Sequence, residues 1–548
     1  MGTKKENGFL LQGAILAATA LITKIIGLAY RIPVTNIMGA EGNGYYGMVF
    51  QVYNLALMLT SYSLPMAVSK LVSARVATGQ YKNAYRVFKG AMTFAVLSGG
   101  TVTALVFFGA RFIASDIMKV DLSVYALRVL APCILIVAFL GVFRGFFQGF
   151  GTMIPTAISQ TLEQIVNAIV SILGAYMLLK VGQGMASGAE KKSYGAAYGA
   201  AGATLGTVAG ALTALIFLVF LFYAYKKKLK RHMKADTNHK AESTKHIYKV
   251  LLFTIAPVIL SATVYNISNL LDQAVFTNVS AAQGIAEKEY TELLGMFSGQ
   301  YDTMTNIPLS VASALAASFM PSLVATIHTG NRKQIHNKID LVSRFNMIIA
   351  IPCAAGFIVL GKPILDLLYF TQDNTVPAAL LKIGGASVIF FCLSTVTNAA
   401  LQGLDRMSIP VKNAAISLVI HLIALYIMLV AFKWSIYSIV ASKVIFAATI
   451  CFLNDRDLRK TCGYYQEYKK TFVIPIISSV IMSVVSLLVK LLFEIFAGER
   501  ISTVFALITA IIVYFITLIA LKGVTESELK TIPKGTKVVR LLHKLHLL

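Results

Sequence analysis

The chain contains fourteen apolar segments that are each long enough to cross a lipid bilayer. They fall at about 9–31, 45–69, 87–108, 121–147, 155–180, 195–225, 249–272, 298–325, 339–360, 376–402, 411–431, 435–453, 471–496 and 502–521. A helix of roughly 20 apolar residues spans the hydrocarbon core, and only helices or closed barrels satisfy their backbone groups there. The sequence therefore predicts an all-α polytopic membrane protein with about fourteen transmembrane helices.

Charge is scarce and unevenly placed. The formal net charge is +25, yet only 13% of residues are charged and 57% are hydrophobic. This balance excludes a soluble nucleic-acid binder and makes the lipid bilayer the main partner. Most Lys and Arg fall in alternate connecting segments, so the positive-inside rule predicts that both termini are cytoplasmic. The basic run 226–231 is the largest contributor to this bias, and contact with anionic lipid or nucleic acid is its alternative interpretation.

Enzyme and metal signatures are absent from the sequence. The five Cys and eight His show no ligand-like spacing, and no P-loop occurs. We therefore expect no enzyme activity, no resident metal and no cofactor.

Three short patterns recur in the same order and at a nearly constant offset. Thr78-Gly79 recurs as Thr329-Gly330, Leu64-Pro65 as Met320-Pro321, and Gln148-Gly149 with Ile154-Pro155 as Gln402-Gly403 with Ile409-Pro410. Such repetition predicts two six-helix lobes, 1–225 and 249–453, with substrate bound between them. A basic cytoplasmic loop at 226–248 joins the lobes, and 454–548 adds two helices and a basic tail.

A Gly/Pro turn joins the fourth and fifth predicted helices. Gly149 and Gly151 are expected to supply open backbone angles, and Pro155 suits a first helical turn. The turn lies at the predicted cytoplasmic ends of both helices. It is either part of a cytoplasmic gate or purely structural, and the residues concerned are Arg144, Gly145, Gln148, Gly149 and Pro155.

Ionisable and polar side chains within the spans are the candidate binding residues, because hydrocarbon offers them no partners. Gln160, Glu163, Gln164 and Asn167 recur at helical spacing and form one polar face. The cations Lys24, Arg31 and Arg128 lie in the half of the first lobe predicted to face outward. We expect Lys24, Arg31, Arg128, Glu163, Gln160 and Gln164 to line a cavity for a diphosphate. Snorkelling to headgroups is the alternative for the cations, and structural hydrogen bonding is the alternative for Glu163.

The seventh and eighth predicted helices carry a second, oxygen-rich set. Asn266, Asn269 and Asp272 lie on the former and Asp302 opens the latter. Oxygen ligands near irregular helix ends suit a coupling cation, although both aspartates also fit ordinary helix ends.

The runs R-G-F-F-Q-G and P-T-A-I-S-Q-T-L-E-Q-I-V, with the N-terminal T-K-I-I-G-L-A-Y-R-I-P, carry a family resemblance. They resemble the stage V sporulation protein B and YtgP-like branch of the polysaccharide biosynthesis proteins. That branch is related to MurJ lipid II flippases and to MATE exporters. The resemblance implies a diphosphate site on the first helix, although alignment on I-G-L-A puts Tyr30, not Arg31, at the expected arginine position.

The resemblance implies a flippase that moves an undecaprenyl-linked oligosaccharide, such as lipid II, between leaflets by alternating access. Sodium, protons or the membrane potential would drive it. We expect a monomer in the bacterial cytoplasmic membrane, working alongside cell-wall synthesis enzymes. A MATE-like ion-coupled exporter of small molecules, or a flippase for another lipid-linked glycan, is the alternative.

Overall fold

A computed structural model describes residues 2–188, 190–236, 241–327, 331–524 and 526, and every regular element in these ranges is helical. The chain divides into two compact units, Met1–Gly299 and Gln300–Leu548. The expected all-α membrane fold is therefore confirmed. Two predicted features, the repeat pair Thr329-Gly330 and the basic tail beyond residue 526, lie outside the described residues.

Unit 1 contains eight α-helices among its described residues. They are α1 (Gly2–Thr60), α2 (Leu64–Ala77), α3 (Tyr81–Phe108), α4 (Val124–Gly149), α5 (Ile154–Met185), α6 (Glu190–Ala235), α7 (Thr244–Ala282) and α8 (Glu287–Met296). A π-helical turn at Phe112–Ile117 and a 3-10 turn at Asp121–Ser123 connect α3 to α4.

Unit 2 contains six α-helices in the part of the chain that the structure describes. They are α9 (Asp302–Ile327), α10 (Arg332–Leu368), α11 (Thr375–Gly403), α12 (Ser408–Val430), α13 (Tyr437–Cys462) and α14 (Ile474–Ala520). A π-helical turn at Phe297–Tyr301 precedes α9, and another at Lys469–Val473 precedes α14.

Ten helical stretches within the described residues are long and apolar enough to cross a membrane. Two of them, Ala18–Ala77 and Lys469–Ala520, are far longer than one crossing requires. Glycines in left-handed backbone conformations break these stretches, Gly39 with φ 71° and Gly498 with φ 76°. The predicted connection at 32–44 is therefore a kinked helix, because one glycine suffices to redirect the chain. The count of fourteen spans and the division into six-helix lobes stay predictions.

Helices α5 and α6 approach each other closely along a line of small residues. A Cβ atom on Gly202 would lie 2.1 Å from the carbonyl oxygen of Gly174, and one on Gly206 would lie 2.1 Å from Oγ of Ser171. Ser171 also donates a hydrogen bond to the carbonyl of Ala203 at 2.9 Å. Small side chains at membrane helix interfaces bring backbones together for dispersion contacts, the main source of association in lipid.

The Gly/Pro turn occurs where the sequence predicts it, between α4 and α5, and the expectation is confirmed for Gly151 but wrong for Gly149. Gly151 adopts a left-handed conformation with φ 81°. Gly149 is instead the last residue of α4. It is needed because a Cβ there would lie 2.6 Å from Cβ of Val72 on α2. A Cβ on Gly145 would lie at the same separation from the carbonyl oxygen of Pro65. Both glycines therefore allow α4 to pack closely against α2.

The segment between α6 and α7 is held against the α2–α3 turn. Arg75 donates from Nε and Nη2 to the Glu242 carboxylate at 2.9 and 2.5 Å. The Glu242 backbone N–H donates to Oδ1 of Asn83 at 3.0 Å, and the Lys82 N–H donates to Asp236 at 3.0 Å. These contacts hold Asp236 and Glu242, on either side of 237–240, against α2 and α3.

In unit 2, both arms of α14 pack on α10. Met482 from the first arm and Leu518 from the second share a buried cluster with Ile348 of α10. Tyr514 is 3% exposed and donates from its hydroxyl to the Ile348 carbonyl at 2.7 Å. The two arms and α10 thus form one layer.

We predict that Gly202→Val destabilises the protein, because the added side chain would meet backbone atoms of α5. Overpacking of this kind costs about 1–3 kcal/mol. The melting temperature of the purified protein in detergent measures the effect. Gly184→Val is the control, since a Cβ there meets nothing within 4 Å. Equal melting of the two variants would contradict the close approach of α5 and α6.

Candidate functional site

The polar face of α5 points at α1. Asn167 is 6% exposed and donates from Nδ2 to the hydroxyl of Tyr30 at 3.1 Å. One turn earlier, a Cβ atom on Gly27 would lie 3.9 Å from Oε1 of Gln164. The same side of α5 also meets α6, because Asn167, Ser171 and Gly174 fall within one arc of the helix. A Cβ on Gly210 of α6 would lie 3.1 Å from Cβ of Asn167. The predicted polar stripe therefore faces neighbouring helices, with Asn167 buried and Gln160, Glu163 and Gln164 half-buried.

Arg31 lies beside the contact between α1 and α5. Its guanidinium carbon is 4.0 Å from the centroid of the Tyr46 ring. Tyr46 itself is 5% exposed and stacks on Phe50 with centroids 4.3 Å apart. A guanidinium over an aromatic face gains about 0.5–2 kcal/mol from the ring's electrostatic field. We call Tyr30, Arg31, Tyr46, Gln164 and Asn167 the α1–α5 cluster.

Within the α1–α5 cluster, Nη1 of Arg31 is buried without a hydrogen-bond partner among the described residues. Oε1 of Gln160, elsewhere on the α5 stripe, is another such atom. A buried donor with a formal charge loses its hydration and gains nothing in return unless an acceptor arrives. Arg31 is therefore prepared to donate to an anion.

Glu163 pairs with Arg144 rather than with Arg31. Its carboxylate accepts from Nη2 of Arg144 at 2.6 Å, and Arg144 also donates from Nε to Ser159 Oγ at 3.1 Å. The side chains of Arg144 and Glu163 are 13% and 21% exposed, respectively. The turn residue Arg144 thus neutralises the acid on the stripe. The charge of Arg31 stays uncompensated in the α1–α5 cluster.

Other residues of the turn form a short clamp. Gln148 Nε2 donates to Thr156 Oγ1 at 3.2 Å, across the turn from α4 to α5. Pro155 is buried in the first turn of α5. A role of this turn as a cytoplasmic gate stays a prediction.

Lys24 and Arg128 are both exposed. Neither forms a hydrogen bond or ion pair with another residue in the ranges described above. The structure does not join them to the α1–α5 cluster, and their proposed contact with a diphosphate stays a prediction.

The residues predicted to couple an ion differ in their surroundings. On α7, Asn266 is exposed, Asn269 is half-buried and Asp272 is 1% exposed. In unit 2, Asp302 forms an ion pair with Lys443 of α13 at 3.9 Å. Lys443 therefore supplies the positive charge that a coupling cation would otherwise bring to Asp302. Across the described residues, no group of three or more His, Cys, Asp or Glu could hold a metal ion.

One end of unit 1 is closed by α8. Ser298 donates from Oγ to the Asn43 carbonyl at 3.1 Å, and a Cβ on Gly44 would lie 2.1 Å from the carbonyl of Thr291. Glu287 accepts from the backbone N–H of Asp121 at 2.8 Å. Burial raises the pKa of the Glu287 carboxyl, although that hydrogen bond opposes the rise. The stretch of α1 just after the kink, from Ala40 to Gly44, is thus tightly packed against α8.

The contact of Tyr46 with Arg31 and the hydrogen bond between Asn167 and Tyr30 were not predicted from the sequence. Tyr46 follows the kink at Gly39, so helical spacing carries no information on whether it faces Arg31. An aromatic residue in an apolar run also resembles an ordinary core residue. The usable signal was Tyr30 itself, a polar group in the middle of an apolar helix.

Comparison with known proteins identifies relatives over most of the chain. The profile of a family described as "Polysaccharide biosynthesis protein" matches residues 10–327. Among curated relatives from Bacillus subtilis (strain 168), lipid II flippase MurJ is 25% identical and covers 87% of each chain. Stage V sporulation protein B is 23% identical over 96% of this chain and 98% of its own length. The uncharacterized membrane protein YabM is 27% identical over 99% and 98%.

Solved structures share the fold. Lipid II flippase MurJ in an inward closed conformation has a TM-score of 0.68 and 14% identity, covering 92% of this chain and 98% of that chain. An inward-facing multidrug resistance MATE transporter of the MOP superfamily has a TM-score of 0.65 and 16% identity, covering 82% and 98%. At such low identity, the likeness concerns the fold alone.

We predict that Arg144→Gln or Glu163→Gln alone destabilises the protein by about 1–3 kcal/mol, because each leaves a largely buried charge without its partner. The double variant removes both charges and should recover much of that loss. Thermal unfolding of the four proteins in detergent measures the coupling. Glu292→Gln, which removes the exposed partner of Lys288 at 3.9 Å, should be close to neutral. Strictly additive losses in the double variant would contradict a coupled pair.

Proposed function

Because the chain belongs to the polysaccharide biosynthesis protein family, we propose that it is a flippase for a lipid-linked glycan. The substrate we propose is an undecaprenyl-diphosphate oligosaccharide, lipid II, moved from the inner to the outer leaflet by alternating access. The family match and the relationship to the lipid II flippase MurJ of Bacillus subtilis support this proposal. The chain is a multi-pass membrane protein, and no catalytic family is indicated for it.

The observation that carries the proposal is the buried Nη1 of Arg31 without a hydrogen-bond partner among the described residues. A diphosphate offers oxygen acceptors and negative charge, which are what this donor lacks. Charge-assisted hydrogen bonds to phosphate are short and about twice as strong as neutral ones. The Tyr46 ring, with its centroid 4.0 Å from the guanidinium carbon, supports the Arg31 side chain.

The pairing of Glu163 with Arg144 supports the same assignment. A free carboxylate on the α5 stripe would repel a diphosphate. Arg144 neutralises the Glu163 carboxylate at 2.6 Å. The positive charge of Arg31 can therefore attract the diphosphate without opposition from Glu163. Tyr30, Gln164 and Asn167 supply uncharged polar groups beside it, which suits the hydroxyl and amide groups of a sugar.

The path of the substrate across the membrane follows from the charge of its diphosphate. The diphosphate and sugar must cross inside protein, because charge in hydrocarbon is costly, while the prenyl chain stays in lipid. Sodium, protons or the membrane potential supplies the driving force. We place the protein in the bacterial cytoplasmic membrane, as a monomer with both termini cytoplasmic, beside the enzymes that consume its substrate.

The second candidate is an ion-coupled exporter of small molecules. The fold similarity to an inward-facing MATE transporter favours it, with a TM-score close to that for MurJ. Cationic drugs, however, need acidic cavities, and Arg31 has the opposite sign. Measurement of drug resistance in cells that overproduce the protein separates the two, since only the exporter confers it.

We predict that the wild-type protein restores growth to a strain depleted of its lipid II flippase and restores precursor exposure on the outer leaflet. Arg31→Ala should lower exposure by roughly tenfold to a hundredfold, the loss expected for hydrogen bonds to a charged group. Arg31→Lys should keep part of the activity, because it preserves charge but not the planar fork.

Arg111→Ala is the matched control, since Arg111 is an exposed cation at the end of α3 in the same unit. All variants are compared at equal amounts in the membrane. If the wild-type protein does not restore precursor exposure, the substrate is another lipid-linked glycan or a small molecule. Full activity of Arg31→Ala refutes the diphosphate assignment while leaving flipping itself intact.

A further inference from the structure

Unit 2 contains a polar cavity of about 210 Å³ where α10 ends and α14 is kinked. Its wall combines the end of α10, the turn that follows and the start of the second arm of α14. The side chains that matter are Asp366, Phe370, Asn374, Glu499, Arg500 and Thr503. It is separate from the α1–α5 cluster, which belongs to unit 1.

One wall of the cavity is fixed by hydrogen bonds. Asp366 accepts from Lys362 Nζ at 2.7 Å and from Asn374 Nδ2 at 2.8 Å. Asn374 in turn accepts from Gln300 Nε2 at 2.5 Å and is 2% exposed. This wall is therefore preorganised, and the charge of Asp366 is already balanced by Lys362.

The opposite wall carries two charges that protein groups do not satisfy. The Glu499 carboxylate is close enough to Lys362 for a long-range electrostatic interaction, but neither it nor the Arg500 guanidinium forms a hydrogen bond or ion pair with another described residue. Arg500 lies over the ring of Phe370, with its guanidinium carbon 5.6 Å from the centroid. The cavity thus presents an available anion and an available cation side by side.

The position of these charges along α14 places them at a membrane boundary. They follow Gly498, at the kink between two apolar arms of the helix. Just before the kink, Ile495 and Phe496 are 75% and 82% exposed. A charged turn between two apolar membrane segments lies at the level of the lipid headgroups, with exposed apolar side chains in contact with acyl chains.

We propose that this cavity binds the headgroup of a zwitterionic phospholipid, phosphoethanolamine. The phosphate accepts hydrogen bonds from Arg500, and the ammonium donates to Glu499. Phe370 borders the headgroup, and the acyl chains run along Ile495 and Phe496. A purely anionic headgroup would leave Glu499 unmatched and repelled, and a purely cationic ligand would leave Arg500 unmatched. This site is independent of the proposed flippase activity.

The test is native mass spectrometry of the purified full chain, offered equal amounts of phosphatidylethanolamine, phosphatidylcholine and phosphatidylglycerol with identical acyl chains. We expect phosphatidylethanolamine to be retained preferentially. Glu499→Gln should lower that preference by about tenfold, the loss of one charge-assisted hydrogen bond. Arg500→Gln should weaken retention of all three lipids, because they share the phosphate.

Glu190→Gln and Lys191→Gln are matched controls, since these residues form an adjacent, exposed acid and base at the start of α6. Thermal unfolding of each variant without added lipid shows that it is folded. Equal retention of phosphatidylethanolamine and phosphatidylcholine points to nonspecific annular lipid and overturns the proposal. So does an unchanged preference in both Glu499→Gln and Arg500→Gln, or an equal loss in the controls.

Discussion

Hydrocarbon offers no hydrogen-bond partners, and the arrangement of unit 1 follows from where α5 places its polar side chains. Asn167 meets Tyr30 on α1, and Glu163 meets Arg144 on α4. The same side of α5 carries Ser171 and Gly174, which pack against α6, and a Cβ on Gly202 would lie 2.1 Å from the carbonyl oxygen of Gly174. One helix therefore fixes the positions of three neighbours, and the polar groups it buries define the candidate site.

The two arginines of this region differ in the partners of their guanidinium groups. Arg144 has a carboxylate and a hydroxyl as acceptors and forms part of the framework. Arg31 has an aromatic ring beneath it and a buried Nη1 with no hydrogen-bond partner in the part of the chain described. A buried charge that is incompletely satisfied costs stability, so its presence is typical of a functional site. This contrast distinguishes the proposed binding residue, Arg31, from the structural one, Arg144, better than charge alone.

The sequence predicted much of this arrangement, within definite limits. Apolar runs and the Gly/Pro turn located α4 and α5, because both signals are local, and helical spacing placed Asn167 and Glu163 on one face. Helical spacing does not reveal how a helix is rotated relative to its neighbours. The ion pair between Glu163 and Arg144 therefore could not be predicted. The kink at Gly39 likewise separated Tyr46 from Arg31 in the helical pattern, although the two side chains are in contact. Close approach of Gly149 to Val72 depends on packing, and the sequence had indicated a backbone reason instead.

The most direct test of the flippase assignment is translocation of a lipid-linked glycan by the purified protein. Proteoliposomes would carry a fluorescent prenyl-diphosphate-linked disaccharide in both leaflets, and a membrane-impermeant reductant would quench the label that reaches the outer one. We expect complete quenching with the wild-type protein, and quenching beyond the initial outer-leaflet fraction that is roughly tenfold to a hundredfold slower with Arg31→Ala. The same result with both proteins would contradict the role assigned to Arg31, and no translocation by well-folded wild-type protein would contradict a flippase for this class of lipid.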